Sequence, residues 1–410
     1  MKTMYLVFLL PVLMISCAKE KTTQNNDTQL KPITLTIEQQ ALVQANNQFA
    51  FTLFNKSASQ ETQENLFISP FSVSMSLSMA LNGAAGTTKT GMENTLGFQG
   101  QQAGMINDYS KLLSGQLQSI DKNVIFTVAN SIWYRKGLKV EPSFISTNQT
   151  YYNAEVSALD FASPSAVNTI NNWVSLKTNK AIPSIIESIS SDKVMYLINV
   201  LYFKGSWRNK FDAAKTSDQD FHKEDLSVVK CKMMTQESTY RSLINESFSA
   251  IEMPYGQGNF IMTVMVPATG KNTSDLIADF NAGNWKKWND AMNSNKVQIS
   301  LPRFKMTYEK TLNELLSAMG MVDAFNSNIA DFTRLSSDRT LYISEVKHKT
   351  MVEVNEEGTI AAAVTSTGMS AVSIQLPQVI NVNKPFVFVI SEKSTGAILF
   401  TGRIMDPTKE

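Results

Sequence analysis

Apolar residues recur at helical spacing near the start of the globular part of the chain. Leu42, Ala45, Phe49 and Leu53 lie three or four residues apart, which places them on one face of an α-helix. The preceding segment Thr36 to Gln39 has the form of a capping box, in which two side chains satisfy free backbone N–H groups at the helix start. The pattern predicts an amphipathic helix that begins at about residue 36.

Later segments alternate between helical and strand-like patterns. A second helix is predicted after Ser69 and Pro70, with Met75, Met79 and Ala80 toward the core and residues 83–86 closing it. Runs of aliphatic and aromatic residues are typical of β-strands, and they are Val124 to Val128, Val194 to Phe203, Phe260 to Val266, Val297 to Leu301 and Phe386 to Ile390. Because no repeat and no Gly/Ser or Pro linker interrupts them, we expect one α+β domain over residues 36–410.

The first residues have a different pattern. Lys2 precedes an apolar run from Met4 to Ile15, which is too short to span a bilayer but has the length of a signal-peptide core. The run ends in Met14-Ile15-Ser16-Cys17, which resembles the lipobox of bacterial lipoproteins, where the Cys becomes the lipidated first residue. We therefore expect residues 1–16 to be a lipoprotein signal peptide; the alternative is an ordinary secretory signal with a chance Cys.

Residues 17–35 predict a flexible tether, because the segment from Ala18 to Lys31 is polar and has no aromatic residue. Acyl chains on Cys17 would hold the protein at a membrane. The expected location is outside the cytoplasm, at the outer membrane or cell surface. The sequence does not decide between a periplasmic and a surface-facing position.

Composition excludes several function classes. Lys plus Arg number 37 and Asp plus Glu 36, so no net charge attracts nucleic acid, and we expect no nucleic-acid partner. The chain has Cys17 and Cys231, and His222 and His348, without HExxH or CxxC spacing, so we expect no metal site and no cofactor. No GxSxG nucleophile motif occurs, which argues against a hydrolase and predicts that the protein is not an enzyme.

One long segment is uncharged throughout. From Gly358 to Asn383 the chain has no charged residue, and Pro is absent until Pro377. Alternate residues Thr359, Ala361 and Ala363 would share one face of a strand, and each is small enough to enter a packed sheet. A loop of this kind can add itself to a sheet as an extra strand. A plain buried strand or an Ala-rich helix fits the composition equally well.

Several motifs then point to one family. The segment Glu356-Glu357-Gly358-Thr359-Ile360-Ala361-Ala362-Ala363 resembles the hinge of inhibitory serpins, and Asn383 to Ile390 is similar to the family signature that follows the reactive loop. Further matching blocks extend over the domain: Asn65 to Ser72, Asn130 to Trp133, Asn199 to Trp207, Leu301 to Phe304, Met319 to Phe325 and Ala330 to Phe332. The chain is identified as resembling an inhibitory serpin of the bacterial lipoprotein type.

This resemblance implies an α+β serpin fold with three β-sheets, about nine helices and an exposed reactive-centre loop. It also implies a mechanism in which a serine protease cleaves the loop and is trapped as an acyl-enzyme. The cut loop then inserts into the main sheet, and strain stored in the intact fold drives the step. The partner would be the target protease in a covalent complex, and we expect a monomer.

The resemblance also assigns roles to particular residues. The hinge is Glu356, Glu357, Gly358, Thr359, Ile360, Ala361, Ala362 and Ala363; the shutter is Ser69, Ser72, Asn199 and His348; and the breach, where insertion begins, contains Trp207 and Arg303. We expect the shutter side chains to be mutually hydrogen-bonded, and Arg303 to pair with Glu356. A general-base role is the alternative for His348, and a slightly acidic thiol is the alternative to a structural Cys231.

Counting from the hinge places the cleaved bond at Val372-Ser373, with Met369-Ser370 as the alternative. Because the loop has no Lys or Arg, elastase-like or subtilisin-like proteases are the expected targets. The chain departs from the family in two places: Ile360 replaces the usual Glu, and residues 178–182 lack the usual Gly. The alternative function is a non-inhibitory, serpin-fold surface lipoprotein that acts as a carrier or binding module.

Overall fold

Six of the nine α-helices formed by the described residues lie before residue 180. The computed structural model describes residues 30–61, 65–190, 193–337, 341–358 and 376–410. The helices are α1 (Ile37–Gln60), α2 (Pro70–Leu81), α3 (Gly86–Leu96), α4 (Ala103–Ser119), α5 (Pro142–Tyr152), α6 (Ala166–Lys177), α7 (Thr273–Ala278), α8 (Ala282–Ala291) and α9 (Asn313–Ala318).

The first two helices begin where local chemistry favours a helix start. The Thr36 hydroxyl accepts from the Gln39 backbone N–H at 3.2 Å, and the Gln39 side chain accepts from the Thr36 N–H at 3.1 Å. The predicted capping box is therefore confirmed. Helix α2 has Ser69 as its N-cap and Pro70 at its first position, where a missing N–H costs no helical hydrogen bond. Every residue of α2 is buried, so this helix forms the centre of the molecule.

Fourteen strands are described. They are β1 (Leu66–Ile68), β2 (Val124–Arg135), β3 (Glu155–Leu159), β4 (Met195–Gly205), β5 (Ser217–His222), β6 (Val228–Ile244), β7 (Phe248–Tyr255), β8 (Phe260–Pro267), β9 (Asn293–Pro302), β10 (Phe304–Thr311), β11 (Glu345–Val354), β12 (Gln378–Asn381), β13 (Phe386–Glu392) and β14 (Ile398–Ile404). Each of the five predicted apolar runs forms a strand or part of one, with only Val194 left outside β4, which confirms those predictions.

Five of the strands form what we call the main sheet. Its order is β10-β11-β4-β2-β3. The two central strands, β11 and β4, are parallel, and each pairs antiparallel with its outer neighbour, β10 or β2. Side chains of β11 alternate between the core and a partly exposed face, as expected for a strand with one covered side. We call the end at which β4 and β11 begin the lower end, and the end at which they stop the upper end.

The other nine strands form a second hydrogen-bonded sheet, ordered β1-β14-β13-β8-β7-β6-β9-β12, with β5 paired to β6. Strand β6 pairs with β5, with β9 and with β7 along its 17 residues. The serpin-type α+β fold is as expected. Hydrogen bonding joins the expected three sheets into two, because β6 is continuous through regions that would otherwise count as separate sheets.

Helix α6 covers the lower part of the main sheet. Ile170 and Val174 of this helix pack with Trp133 of β2 and Ile198 of β4 in a hydrophobic cluster separate from the main core. Ile182 and its neighbours after the helix extend the same cluster. The described residues provide no such apolar cover for the upper part of the sheet, where Tyr202 and Lys204 of β4 are partly exposed. Among the described helices, none is long and apolar enough to cross a membrane.

Candidate functional site

The two central strands of the main sheet part in their upper halves. Their parallel pairing runs from Glu345 opposite Tyr196 to Lys349 opposite Val200. Both strands continue for five more residues, as residues 350–354 and 201–205, without a ladder between them. The outer neighbours β10 and β2 remain paired over this length. An unpaired interval therefore lies between the upper halves of the two strands, with backbone N–H and C=O groups on both sides.

A short turn closes the upper end of this interval. Asn355 and Gly358 exchange backbone hydrogen bonds of 3.0 and 3.1 Å, and Gly358 forms an antiparallel bridge with Ser206 beyond β4. The Trp207 N–H donates to the Glu357 carbonyl at 2.9 Å. We call residues 355–358 the strap, since they carry the chain from the end of β11 across to the end of β4.

Gly358 is required by the geometry of the strap. Its φ is +114°, a conformation that L side chains rarely adopt. A Cβ at this position would lie 2.4 Å from both the Gly205 carbonyl oxygen and the Trp207 nitrogen. The backbone of the strap approaches β4 so closely that no other residue fits.

A carboxylate at the centre of the strap is held by two donors. The Arg303 Nε donates to Glu356 Oε1 at 2.7 Å, and the Thr216 hydroxyl donates to the same oxygen. The Glu356 side chain is 8% exposed and that of Arg303 43%. Burial acts to raise the pKa of Glu356, but these hydrogen bonds outweigh it and hold the pKa below its usual value. The expected Arg303–Glu356 pair is thus present, and loss of Arg303 would leave a buried carboxylate with one donor fewer.

The remaining contacts of the strap involve Trp207 and Glu357. The indole N–H of Trp207 donates to the Asn355 carbonyl at 2.9 Å, and its ring stacks on Tyr255 at 4.3 Å. Lys210 pairs with the Glu357 carboxylate at 2.6 Å. The structure therefore brings together both predicted breach residues and the first three residues of the predicted hinge.

The predicted shutter residues lie below this interval, in the core. The Ser69 N–H donates to His348 Nε2 at 3.1 Å, and the Ser72 N–H donates to the Ser69 hydroxyl at 3.3 Å. His348 lies directly opposite Asn199 in the last part of the β4–β11 ladder. All four residues are buried, so the structure brings them to one place.

Their side chains do not form the mutually bonded set that we expected. Because His348 Nε2 accepts a hydrogen bond, its neutral ring carries the proton on Nδ1, and that atom has no partner. Asn199 Oδ1 on the facing strand also has none, and the Asn199 amide donates to Asn130 instead. Burial lowers the pKa of His348 to about 3. The structure does not support the general-base alternative, because the Nε2 lone pair already accepts the Ser69 N–H and burial makes the ring a weak base.

Several other predicted residues lie elsewhere or outside the described ranges. Thr359, Ile360, Ala361, Ala362 and Ala363 of the hinge are among residues 359–375, which are outside the described part of the chain. The same holds for the two candidate bonds, Val372-Ser373 and Met369-Ser370, and for Cys17.

Cys231 and His222 lie away from the strap. Cys231 is buried on β6, and burial together with nearby carboxylates raises its pKa to about 11. The alternative of a slightly acidic thiol is therefore wrong, because desolvation opposes the charged form. His222 is exposed at the end of β5. In the described ranges, no group of three or more His, Cys, Asp or Glu side chains is placed to hold a metal ion.

Five further residues contribute to the site, although the sequence did not indicate a role for them. They are Thr216, Lys210, Asn355, Asn130 and Thr350. Asn130 begins one of the matching sequence blocks, and Thr350 follows His348 by two residues on the same face of β11, where its hydroxyl donates to the Phe67 carbonyl. Thr216 lies 140 positions from Glu356, and no local pattern signals a contact between residues so far apart.

Comparison with known proteins agrees with this geometry. The family model described as serpin (serine protease inhibitor) matches residues 44–407. The leukocyte elastase inhibitor of Homo sapiens is 32% identical over 380 residues, which cover 89% of this chain and 99% of that protein.

Solved structures give the same assignment. Tengpin, a thermophilic serpin in its native state, has a TM-score of 0.83 and 30% identity, with 92% of this chain and 96% of that chain covered. Human thyroxine-binding globulin has a TM-score of 0.83 and 29% identity, with 90% and 100% covered. With one family model spanning nearly the whole described chain, and relatives matched over their full length, this chain belongs to the serpin family.

Proposed function

We propose that this serpin inhibits serine proteases by insertion of its own cleaved loop. The observation that carries the proposal is the open interval between the upper halves of β4 and β11, with Gly358 at its mouth. The chain leaves Gly358 into a segment without charge and without Pro before Pro377. A segment of this composition can make every backbone hydrogen bond of a central strand.

The direction of the chain supports such an insertion. β11 runs upward and the strap turns at its upper end, so a strand that continued from Gly358 into the interval would run downward. It would be antiparallel to both β4 and β11, and the N–H and C=O groups of residues 201–205 and 350–354 would gain partners. These new bonds, and the burial of small side chains such as Ala361, would drive the step.

The trapping reaction follows from protease chemistry. The nucleophilic Ser of the protease attacks the carbonyl of the reactive bond, and the new amine departs, which leaves an ester between protease and inhibitor. Insertion of the loop before water hydrolyses the ester would carry the attached protease toward the lower end of the sheet. The inhibitor is consumed in the process, so its action does not require catalytic residues of its own.

The expected targets are elastase-like or subtilisin-like proteases. Val372 is small and apolar, which suits a shallow hydrophobic pocket, and Met369 suits subtilisin-like pockets. A trypsin-like pocket would keep its carboxylate unpaired, because the loop offers no Lys or Arg. The name of the human relative, leukocyte elastase inhibitor, agrees with this class.

The same proposal includes a lipid anchor. The lipobox-like sequence that ends at Cys17 would attach the mature protein, outside the cytoplasm, to the outer membrane or cell surface through the tether predicted at residues 17–35. The end of that range packs on the domain, since Ile33 is buried and its N–H donates to the Ser394 hydroxyl at 2.8 Å, so the free part of the tether is residues 18–29. Mass spectrometry of the protein from its natural membrane should then give an acylated peptide beginning at Cys17.

A carrier function is the second candidate, because thyroxine-binding globulin has the same fold. The two functions differ in what a protease does to the protein. We expect an elastase mixed with the mature inhibitor to give an SDS-resistant complex, and the released peptide to begin at Ser373, or at Ser370 if Met369 is used. Complete cleavage without a complex would exclude the inhibitory mechanism.

Val372→Arg provides a matched control for the target class. This change gives a trypsin-like protease the cation that its pocket needs, without altering the strap or the hinge. We expect the variant to form the complex with trypsin and the parent protein to form little. Equal inhibition of trypsin by both proteins would show that the reactive bond lies elsewhere.

A further inference from the structure

Three exposed basic side chains surround the point at which the described chain starts. Lys31, Arg208 and Lys393 are exposed, and none forms an ion pair among the described residues. Their segments touch one another: the Asn259 amide donates to the Lys31 carbonyl at 2.9 Å, and the Lys393 N–H donates to the Asn259 carbonyl at 2.8 Å. We call Lys31, Arg208, Lys393 and Leu30 the basic face.

The turn between β7 and β8 brings Arg208 and Leu30 close together. A Cβ at Gly258 would lie 3.1 Å from Arg208 Nη1 and 3.6 Å from Leu30 Cδ2. Leu30 is 38% exposed, so an apolar side chain lies beside the cations. This combination of a partly exposed Leu with Lys and Arg is typical of surfaces that lie on anionic lipid headgroups.

Nearby carboxylates do not neutralise this face. Asp121, Glu252 and Glu392 are buried. The oxygens of Asp121 and Glu392 accept hydrogen bonds from the backbone N–H groups of Gln257 and Thr395, and Glu252, which the Lys393 charge also reaches, pairs with Arg241. Glu38, near the start of α1, is the exposed carboxylate of the same chain segment. The net charge that the face presents to solvent is positive.

The position of the tether decides between this face and other basic surfaces. Lys136, Lys139 and Lys177 are also exposed without ion pairs. Lys136 follows the far end of β2, which begins beside Asp121 and is 12 residues long, so the two surfaces lie roughly 35 Å apart. Residues 18–29 separate Cys17 from Leu30, and even fully extended they reach only about 45 Å. The basic face lies where the tether joins the domain and can meet the membrane with the tether relaxed, whereas the other surface can do so only when the tether is stretched over most of its length.

We propose that the basic face docks on the anionic bilayer to which the protein is anchored, and thereby fixes its orientation. The proposal rests on the lipid anchor proposed above. Three cations bind only weakly by themselves, since each strengthens binding to an anionic surface by about fivefold. When the protein is attached through Cys17, the effective concentration of lipid headgroups at the basic face is high. The anchor therefore keeps the protein on the membrane, and the basic face determines how the domain is oriented on it.

Docking would also set where the reactive loop lies. Arg208 is two residues from Ser206, which bridges to Gly358 at the base of the loop. The upper end of the main sheet would therefore be held near the membrane, and the lower end, with α6, would point away from it. Proteases working close to the membrane would meet the loop first.

The test uses the full mature lipoprotein in vesicles of phosphatidylcholine and phosphatidylglycerol at 3:1. Single labels are placed at Thr34→Cys, next to the basic face, or at Ser143→Cys, near the opposite end. Both positions are exposed, while Cys231 is buried with a raised pKa and should not react. Energy transfer to a dye in the membrane then measures the distance of each label from the bilayer.

We expect the Thr34 label to lie closer to the bilayer than the Ser143 label, and this difference to become smaller in Lys31→Glu/Arg208→Glu/Lys393→Glu or in pure phosphatidylcholine, where the tether alone holds Thr34 near the membrane. The control variant Lys136→Glu/Lys139→Glu/Lys177→Glu should keep it. Equal distances for the two labels in the parent protein, or a difference that is as large in the first variant as in the parent, would overturn the docking proposal. Failure of the protein to sediment with vesicles at all would instead contradict the lipid anchor.

Discussion

His348 is a titratable residue that the fold holds in one protonation state. It is 1% exposed, its Nε2 accepts the Ser69 N–H, and desolvation lowers its pKa from 6.5 to about 3. Between these two values the unfolded chain binds a proton that the folded protein excludes. The free energy of unfolding should therefore rise with pH over this range. The contribution of His348 to stability is complete above about pH 6.5 and is lost progressively as the pH falls toward 3.

The variant His348→Gln tests this dependence. Gln keeps an acceptor for the Ser69 N–H and cannot titrate. We expect the urea midpoint of the parent protein to fall between pH 7 and pH 5 and that of the variant to fall less over the same range. Parallel pH profiles would mean that His348 does not contribute to the acid sensitivity of the fold.

Lys180 lies in a backbone conformation that is unfavourable for a residue with a side chain. It has φ +65° in the segment after α6, and its neighbour Asn179 has φ +50°. Both residues lie in the segment 178–182, where the family usually has a Gly. The backbone there adopts a left-handed conformation that favours Gly over residues with a side chain. A left-handed conformation costs an L residue about 1 to 2 kcal/mol. A Gly would remove this strain, but part of the gain in stability would be lost because Gly increases the conformational entropy of the unfolded chain.

We expect Lys180→Gly to stabilise the intact protein by about 0.5 to 1 kcal/mol, measured as a higher urea midpoint. Lys177→Gly is the matched control, because Lys177 lies in the last turn of α6, where Gly should cost up to about 1 kcal/mol. Destabilisation by both changes would show that Lys180 makes a favourable contact that exceeds the strain.

At the scale of elements, the sequence predicted best where local chemistry decides. The start of α1 at Thr36 follows from a capping box, and the strand β13 follows from a continuous apolar run. The run at Val124 predicted only the first part of β2, which continues through Asn130 and Ser131 because neighbouring strands bury these polar residues. Residues 83–86 were expected to close α2, but Gly86 begins α3 instead.

Contacts within the site could be predicted only through the family resemblance. Arg303 and Glu356 are 53 residues apart, and no periodicity joins them. The open interval between β4 and β11 depends on which strands become neighbours, and residues 201–205 do not differ in composition from a fully paired strand. Tertiary packing, rather than local preference, decides both features.

Insertion of the segment after Gly358 as a strand between β4 and β11 predicts the effect of a charge at residue 359. Thr359 follows Gly358 directly, and by alternation it would point toward the core once the segment lies in the interval. Thr359→Arg would then require burial of an unpaired charge at a cost of several kcal/mol. We expect this variant to be cleaved by an elastase without forming the SDS-resistant complex.

Ile360→Arg is the control for Thr359→Arg. The two positions are adjacent, but residue 360 would point to the outer face of the sheet and keep its charge in water. We expect this variant to form the complex about as well as the parent protein. If both variants inhibit, or both fail, the alternation assigned to the inserted strand is wrong.

For the whole molecule, cleavage of the loop should increase stability. A protease that cuts between Gly368 and Ile374 without being trapped would free the segment after Gly358 to fill the interval between β4 and β11. We expect the Tm of the cleaved protein to rise by at least about 10 °C. Each kcal/mol shifts the Tm of a large domain by about 2 °C, and a new strand adds several.

Calorimetry of the intact and the cleaved protein checks this expectation. Thr359→Arg is the control, because its Tm should rise less on cleavage than that of the parent protein. A cleaved parent protein that melts no higher than the intact one would contradict insertion, whatever its effect on proteases.

The interval in the main sheet has a further consequence for protein that is stored or overproduced. Residues 201–205 and 350–354 form two facing edges inside a sheet, and unpaired strand edges are templates for chain association. The reactive loop of a second molecule has the same uncharged composition as the first, so it can occupy the same place. Self-association would then compete with protease trapping, and crowding or heating would favour it. The opening that would accept the molecule's own cleaved loop would therefore also limit how long the protein stays monomeric during storage.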